Sequence, residues 1–480
     1  MADVAGDGAG ELEFETGTFA RAFQQFLITT NQLVPRERSP IRDLLEQHIG
    51  ADPGAFPAVS EDLVRPELPN LQRALDELVE DHGWDVVGLP LGLRNFDGFS
   101  LASIATDRLS DYRLASPRPG PVEYTNVPVG PDETMACVQL ALYLGRWRDL
   151  PLAVLVSLGD PRRHQSTITV EVLTSTRDGA RGFLDHLRER RAALNVYRGK
   201  TLSFVHTQFG EYGLNFLTLP RPERSQVILP EDDLSAIEQH TIGIADKAAV
   251  LLAAGRHLRR GLLLHGPPGT GKTLSVSYLC NRMSDRTTVV LNGGPGINAM
   301  GQAIALARAA QPAMVVLEDV DLVGEERTRP GRQDSNPLLF QLLNEMDGLA
   351  EDSDIIFVLT TNRLDLLEPA LAMRPGRIDQ AVEVKLPDAY CRRRLFELYL
   401  DGVPMGEVSI GLLVDATDGV SAAFVKELVR RAVLIAAMES DDGTAGLPPI
   451  ETRHLQEGLA ALDASNGPVM RAILGATHPA

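Results

Sequence analysis

A glycine-rich loop that ends in lysine and threonine carries the strongest chemical signal in this sequence. Its residues are Gly266, Pro267, Pro268, Gly269, Thr270, Gly271, Lys272 and Thr273. The loop follows the apolar run 261–265 and precedes a helical pattern that begins at Leu274, which is the setting that this motif requires. Glycines let backbone N–H groups turn toward phosphate oxygens, and the N-terminus of a helix adds partial positive charge. We therefore predict that these residues and Leu274 bind a nucleotide, with Lys272 on the β- and γ-phosphates and Thr273 on Mg²⁺.

A second apolar run, residues 313–317, ends in two carboxylates, Glu318 and Asp319. Phosphoryl transfer needs one acid that holds the metal and one that positions or deprotonates the attacking water. The usual order at such a strand end is Asp then Glu, and here the order is reversed. We assign Glu318 to the magnesium shell and Asp319 to the water.

Two further polar features follow along the chain. A third predicted strand, 355–361, is followed by Asn362, which we predict to sense the γ-phosphate and to hold the lytic water. Arg374 and Arg377 then lie in a turn that contains proline and glycine. Such a pair could anchor loops, or it could stabilise phosphoryl charge in the site of a neighbouring subunit.

The composition indicates an ordinary folded protein. The chain has 480 residues, of which 44% are hydrophobic and 23% charged, and this length suggests about three domains. The formal net charge of -19 disfavours nucleic acid as a partner, because so acidic a chain repels phosphate polymers.

Cysteine usage and hydropathy bear on location. Cys137, Cys280 and Cys391 lie far apart, which excludes a disulfide framework and a zinc ribbon and fits a reducing compartment. No apolar run approaches the ~18 residues that a membrane span needs, and the first residues are acidic where a signal peptide would be basic. We expect a cytoplasmic protein without a membrane span.

The order and spacing of five motifs resemble those of one family. The motifs are GPPGTGKT (266–273), VVLEDVD (315–321), MDGL (346–349), TTN (360–362) and MRPGRID (373–379). Together they resemble the AAA family of ATPases, in the branch near the valosin-containing-protein and FtsH types, over roughly residues 234–462. The Glu-Asp order is similar to that of the Rieske-protein translocase ATPases.

The resemblance implies an α/β fold with a doubly wound parallel sheet, a helical lid, ATP and Mg²⁺ as cofactors, and a homo-hexameric ring. By that analogy Arg374 reaches the γ-phosphate of a neighbour and Arg377 supports it. Thr241 and Gly243 would lie against the adenine from one side, and Ala422 would close over it from the lid.

This resemblance and the composition together define a domain plan. An acidic, disordered tail is expected at 1–20, a helical region at 21–120, an α/β module at 121–219 and a proline-marked linker at 220–233. The large P-loop ATPase subdomain would follow at 234–387, the helical lid at 388–465 and a short tail at 466–480.

Two departures from the family pattern limit what the ring is expected to do. The sequence has no His-Glu-x-x-His, so a zinc protease site of the FtsH kind is not expected. The segment 292–300, where the family carries an aromatic residue in the central pore, offers only Ile297 and Met300 as sizeable apolar side chains. Polypeptide threading is therefore expected to be weak, whereas ATP hydrolysis is not affected.

Three functions compete on this basis. The leading hypothesis is a ring that remodels or disassembles protein targets selected by the N-terminal region. The alternative is a nucleotide-dependent assembly switch or scaffold that threads no polypeptide. A DNA-acting motor is a third reading, which the net charge disfavours.

Overall fold

The computed structural model divides the chain into two compact units. The first comprises residues 1–126 and 136–191, and the second comprises residues 127–135 and 192–480. The residues that the structure describes are 19, 21–26, 29, 38–95, 98–107, 118–159, 167–206, 212–292, 299–321, 344–346, 348, 353–366, 378–439 and 448–473.

The first unit contains a five-stranded antiparallel sheet with helices on its faces. The first seven strands of the chain are β1 (Ala58–Val64), β2 (Asp85–Gly88), β3 (Tyr124–Pro128), β4 (Thr134–Val138), β5 (Leu140–Trp147), β6 (Leu150–Leu158) and β7 (Thr167–Thr174). The strand order is β1-β7-β6-β5-β2, while β3 and β4 form a separate two-stranded ribbon. The helices are α1 (Pro40–Ile49), α2 (Leu68–His82), α3 (Leu101–Ala105) and α4 (Arg177–Ala193).

Both faces of this sheet are covered, which explains the continuous apolar runs of β5 and β6. On one face, Ile41 of α1 and Ile104 of α3 belong to the same buried cluster as Leu142. On the other, the ring of Trp84 stacks on Phe183 of α4 with 5.6 Å between centroids. A Cβ at position 145 would lie 2.1 Å from the Trp84 ring, so only glycine allows this approach.

The structure corrects the predicted domain plan of the N-terminal half. Strands β1 and β2 fall in the region expected to be helical, and they pair with β7 and β5 in one sheet. Residues 192–219, assigned to an α/β module, belong instead to the second unit. Local periodicity indicates where a strand lies but not which strand it pairs with, and the pairing decides the boundary.

The second unit contains a seven-stranded sheet that confirms the predicted α/β class. Its strands are β8 (Thr201–His206), β9 (Tyr212–Phe216), β10 (Arg260–His265), β11 (Thr287–Asn292), β12 (Ala313–Glu318), β13 (Ile355–Thr361) and β14 (Gln380–Glu383). The strand order is β14-β10-β13-β12-β11-β8-β9. Every pairing is parallel except that between β8 and β9.

Helices cover both faces of this sheet. They are α5 (Glu231–His240), α6 (Ile242–Asp246), α7 (Ala248–Ala253), α8 (Lys272–Arg282) and α9 (Met300–Ala309). Leu262 and Leu264 of β10 pack with α5 and α8, whereas Leu263 belongs to the cluster that contains α9. Alternate residues of one apolar strand therefore stabilise opposite layers.

The chain ends in a helical lid with its own core. Its helices are α10 (Ala389–Leu400), α11 (Ile410–Ala416), α12 (Ala422–Met438) and α13 (Thr452–Ile473). Leu395, Phe424 and Leu428 belong to one buried cluster that draws on these helices. Helix α13 continues to Ile473, so the lid extends past the boundary expected at residue 465.

A buried carboxyl group, Glu171 of β7, makes the stability of the first unit depend on pH. It accepts a hydrogen bond from the Leu101 N–H at 2.9 Å. Burial raises the pKa of Glu171 to about 7, against the opposing effect of that hydrogen bond and with a smaller contribution from Asp62. The folded state holds the proton of the Glu171 carboxyl group more tightly than the unfolded chain does. The contribution of this proton to the free energy of unfolding is therefore complete below about pH 4.5 and is lost as the pH rises through about 7.

We expect Glu171→Gln to remove this pH dependence, because the amide keeps an acceptor for Leu101 but cannot ionise. As the pH rises from acidic to mildly alkaline, the free energy of unfolding of the wild type should decrease by about 3 kcal/mol more than that of the variant. Urea unfolding followed by tryptophan fluorescence measures this, since Trp84 and Trp147 are the chain's two tryptophans and both lie in the first unit. Parallel pH profiles for the two proteins would contradict the prediction.

Candidate functional site

The predicted site residues meet at one edge of the seven-stranded sheet. His265, the last residue of β10, pairs with Thr361 of β13, and Leu317 of β12 pairs with Leu359. Because these strands run parallel, the chain leaves all three at the same edge. The glycine-rich loop, the two acids and Asn362 are thereby brought together at the carboxyl ends of the strands, where α/β sheets bind ligands.

Lys272 is held at the centre of the loop. Its Nζ donates hydrogen bonds of 2.8 Å to the carbonyl oxygens of Gly266 and Pro267, and only 6% of the residue is exposed. Burial lowers the pKa of Lys272, while the carboxylates of Asp319 and Asp321 oppose that shift. The loop therefore presents a cation that is already ordered.

Two loop positions require glycine. At Gly266 the φ angle is 139°, and a Cβ would lie 2.3 Å from the Val384 carbonyl oxygen. Gly271 has a φ of 110° and is the N-cap of α8. These conformations direct the loop backbone into the first turn of α8, whose N–H groups favour anions.

The two adjacent acids have different partners. The Thr273 hydroxyl hydrogen-bonds to Glu318, and burial raises the pKa of Glu318 in spite of that bond. Asp319 instead accepts a hydrogen bond of 3.3 Å from the Asn362 side-chain amide. The residues predicted to ligate Mg²⁺ are thus in contact with each other, and so are those predicted to handle water.

Asp319 occupies a turn that separates it from Glu318. Its φ of 49° is unusual for a residue other than glycine. Its N–H donates to the Thr360 hydroxyl at 3.0 Å, which links the end of β12 to β13. This local conformation lets two consecutive carboxylates contact different partners.

Asp321 is a further residue of this site, for which the motif alone predicted no role. It is 6% exposed and accepts hydrogen bonds from the Thr361 hydroxyl at 2.8 Å and from the Asn362 N–H at 3.1 Å. It thus orients Asn362, which in turn contacts Asp319. The sequence signal was the third acid of the run 318–321.

A cleft of about 400 Å³ lies over these groups. The predicted residues that line it are Pro268, Gly269, Thr270, Gly271, Lys272, Thr273, Leu274, Asp319, Asn362 and Ala422. The lid contacts the loop directly, because the Ala423 N–H donates to the Gly269 carbonyl oxygen at 3.0 Å. The lid and the phosphate loop are therefore joined by a hydrogen bond.

The apolar part of the cleft differs from the prediction. Thr241 and Gly243 do not line it: Thr241 is fully buried and its hydroxyl bonds to the Ile237 carbonyl oxygen at 2.7 Å, at the end of α5. The lining comes instead from residues that were not predicted, namely Gln226, Val227, Ile228, Leu229, Leu395, Tyr399 and Lys426. Ala423, which also lines the cleft, belongs to the lid segment that the resemblance places over the adenine. The segment 220–233, interpreted as a linker because of its prolines, contributes four of the residues that were not predicted. The triplet Val-Ile-Leu at 227–229 was the available signal.

Several predicted residues lie outside the described residues or elsewhere in the fold. Arg374, Arg377 and Ile297 fall outside the described residues. Met300, one of the two apolar candidates for the pore segment, is 1% exposed and packs in the core of the second unit. Its side chain is therefore not exposed for contact with a polypeptide.

A second cleft in this unit, of about 470 Å³, shares no lining residue with the first. Two cations on its lining already have partners within the protein. Lys200 lies 3.8 Å from a Glu133 carboxylate oxygen, and Arg286 forms two hydrogen bonds of 2.7 and 3.0 Å with Asp354. The smaller cleft is lined by the glycine loop with its buried lysine and by Thr273, the partner of Glu318, and its chemistry fits a nucleoside triphosphate and Mg²⁺.

Comparisons with known proteins agree with this geometry. Residues 262–386 match the family described as "ATPase family associated with various cellular activities (AAA)". The ATP-dependent zinc metalloprotease FtsH 2 of Sphaerobacter thermophilus is 33% identical over 227 residues, which are 44% of this chain and 35% of the relative. The proteasome-activating nucleotidase of Methanopyrus kandleri is 34% identical over 195 residues, which are 38% of this chain and 44% of the relative. The chain thus spans less than half the length of these relatives.

The matched segment contains the glycine-rich loop, both acids and Asn362, and its sheet has the P-loop α/β arrangement. Proteins with this module use ATP with Mg²⁺. By its motifs, its fold and these matches, the chain contains an AAA family ATPase module over the matched residues 262–386.

Proposed function

We propose that this chain hydrolyses ATP in the 400 Å³ cleft and uses the reaction to remodel or disassemble protein targets. The observation that carries the proposal is the direct hydrogen bond between lid residue Ala423 and loop residue Gly269. Since this bond joins the lid to the phosphate-binding loop, a change of nucleotide state has a route to a mechanical change. The relatives named as proteases and as proteasome-activating nucleotidases support a protein target.

The residues divide the work of hydrolysis. Asp319, oriented by Asn362, takes a proton from the attacking water. Lys272 offsets negative charge on the phosphates, and the N–H groups at the start of α8 add to that stabilisation. Thr273 and Glu318 would hold Mg²⁺, which supplies charge stabilisation for phosphoryl transfer.

The assembly that we propose is a homo-hexameric ring. Arg374 would act in the cleft of a neighbouring subunit, with Arg377 as its support. The first unit would select the target, and nucleic acid is not a proposed partner, because the net charge is -19. None of the described helices has the length and apolar character that crossing a bilayer requires. The cytoplasmic location stays a prediction.

A nucleotide-dependent assembly switch is the second candidate. The burial of Met300 favours it, since this removes one of the two apolar side chains that segment 292–300 could offer to a polypeptide. On this alternative, hydrolysis resets an assembly state and no chain is threaded.

Stimulation of hydrolysis distinguishes these functions. We expect an unfolded polypeptide to stimulate ATPase activity and DNA to have no effect. We also expect little ATP-dependent loss of fluorescence from a folded, tagged reporter. Unfolding such a domain requires about 5 to 15 kcal/mol, and a ring that threads polypeptide weakly is not expected to supply this work. Asp319→Asn is the matched control without hydrolysis. Stimulation by neither polymer would favour the switch, and stimulation by DNA would contradict both proposals. Rapid reporter unfolding would contradict the expectation of weak threading.

A further inference from the structure

The apolar wall of the nucleotide cleft, Val227 to Leu229, belongs to a segment without regular secondary structure. The exposed fractions of Val227, Ile228 and Leu229 are 1%, 6% and 5%. All three line the cleft together with Leu395 and Tyr399 of the lid. The loop and acids account for the phosphate end, so this wall is suited to the apolar faces of the base.

An arginine just before this wall fastens it to α5. The Arg224 guanidinium lies across two carboxylates of that helix. Its Nε donates to Glu238 at 3.0 Å, and its Nη2 donates to Glu231 at 2.5 Å and to Glu238 at 3.1 Å. Arg224 can therefore hold the start of the wall against α5 through a planar, bidentate contact.

The same carboxylate is also held from α8, the helix that begins at Lys272. The Tyr278 hydroxyl donates to Glu238 at 2.5 Å, and Tyr278 is 2% exposed. Burial, with the Glu238 hydrogen bond, raises the pKa of Tyr278 to about 12, so the hydroxyl keeps its proton at neutral pH. Asn281 of α8 adds a hydrogen bond of 3.3 Å to the Pro222 carbonyl oxygen. The wall is thus tied to the helix that carries the phosphate loop.

We propose that Tyr278, Glu238 and Arg224 form a positioning tie that sets the apolar wall at a fixed distance from the phosphate loop and thereby determines affinity and selectivity for the nucleotide base. None of the three lines the cleft, so they act through Val227 to Leu229. This inference rests on the proposed function, because it assumes that ATP occupies the cleft.

The tie has a kinetic consequence that a merely structural role lacks. Loosening the wall weakens contacts that the base makes equally in the ground state and the transition state, which raises KM and leaves kcat unchanged. Contacts to the phosphates come from the loop and α8 and are not affected. Inorganic tripolyphosphate, which has no base, should therefore compete equally well in the wild type and in variants of the tie.

The test uses Arg224→Ala and Tyr278→Phe in the full chain, with steady-state hydrolysis of ATP and GTP. Arg453→Ala is the matched control, because Arg453 is 51% exposed against 45% for Arg224 and forms a comparable pair with Glu439 far from this wall in the sequence. We expect KM for ATP to rise about 3- to 10-fold in both tie variants. We expect kcat and the tripolyphosphate inhibition constant to stay unchanged. The ratio of kcat/KM for ATP to kcat/KM for GTP should decrease. The control should match the wild type.

Other outcomes separate this inference from the function beneath it. An unchanged KM in both variants, or a loss of tripolyphosphate binding along with ATP binding, would overturn the tie while leaving the ATPase intact. If the wild-type protein binds no nucleotide, both the proposed function and the tie are contradicted. Tyr278→Phe deletes a single oxygen atom and therefore disturbs folding least. If thermal unfolding shows that Arg224→Ala does not fold, Tyr278→Phe alone tests the tie.

Discussion

Asp319→Asn is expected to bind ATP as tightly as the wild type. Its rate of hydrolysis is expected to fall by a factor of about 100 or more. The amide is almost isosteric with the carboxylate and can still contact Asn362, which lies 3.3 Å away in the wild type, but it cannot take a proton from water. Titration with a fluorescent ATP analogue measures binding, and phosphate release measures hydrolysis. The contact between Asp319 and Asn362, rather than the order of the two acids in the sequence, supports this assignment.

Two companion variants sharpen the result. Lys272→Ala removes the cation held over the loop carbonyl oxygens and is expected to abolish tight ATP binding. Glu318→Gln alters the partner of Thr273 and is expected to raise the Mg²⁺ concentration that hydrolysis requires. If Glu318→Gln stops hydrolysis with binding intact while Asp319→Asn remains active, the roles of the two acids are reversed.

Arg374→Ala is expected to bind ATP normally and to hydrolyse it about 10³-fold more slowly, because an arginine supplied by a neighbour stabilises charge that develops only in the transition state. Its defect should be complemented. In a mixture with Asp319→Asn subunits, some interfaces combine an intact Arg374 with an intact Asp319, and activity should partly return. Phosphate release from defined mixtures of the two variants measures this.

Two results would contradict the action of Arg374 in a neighbouring subunit. One is full activity of the Arg374→Ala variant by itself, and the other is an active enzyme that is strictly monomeric at the assay concentration. Arg453→Ala serves as the control, because it removes an exposed arginine of the lid that pairs with Glu439.

The phosphate end of the site could be read from the sequence because each of its parts is local. Gly266 to Thr273 is a single loop between a strand and a helix, and Glu318, Asp319 and Asn362 follow directly on apolar runs. Parallel strands place their carboxyl ends at one edge, so the strand assignments, together with the parallel sheet that the family resemblance implies, were sufficient to bring these residues together. The sequence alone thus determined the fold class of the second unit and the chemistry of its cleft.

The tertiary structure decided what depends on pairing and packing between distant segments. It placed β1 and β2 in one sheet with β5 to β7, buried Met300 in the core, and put Val227 to Leu229 instead of Thr241 and Gly243 along the cleft. Apolar periodicity reports that a residue is buried, but it does not report against what. Which surfaces meet is determined by strand register and by side-chain contacts such as that of Tyr278 with Glu238, and these form only when the whole unit folds.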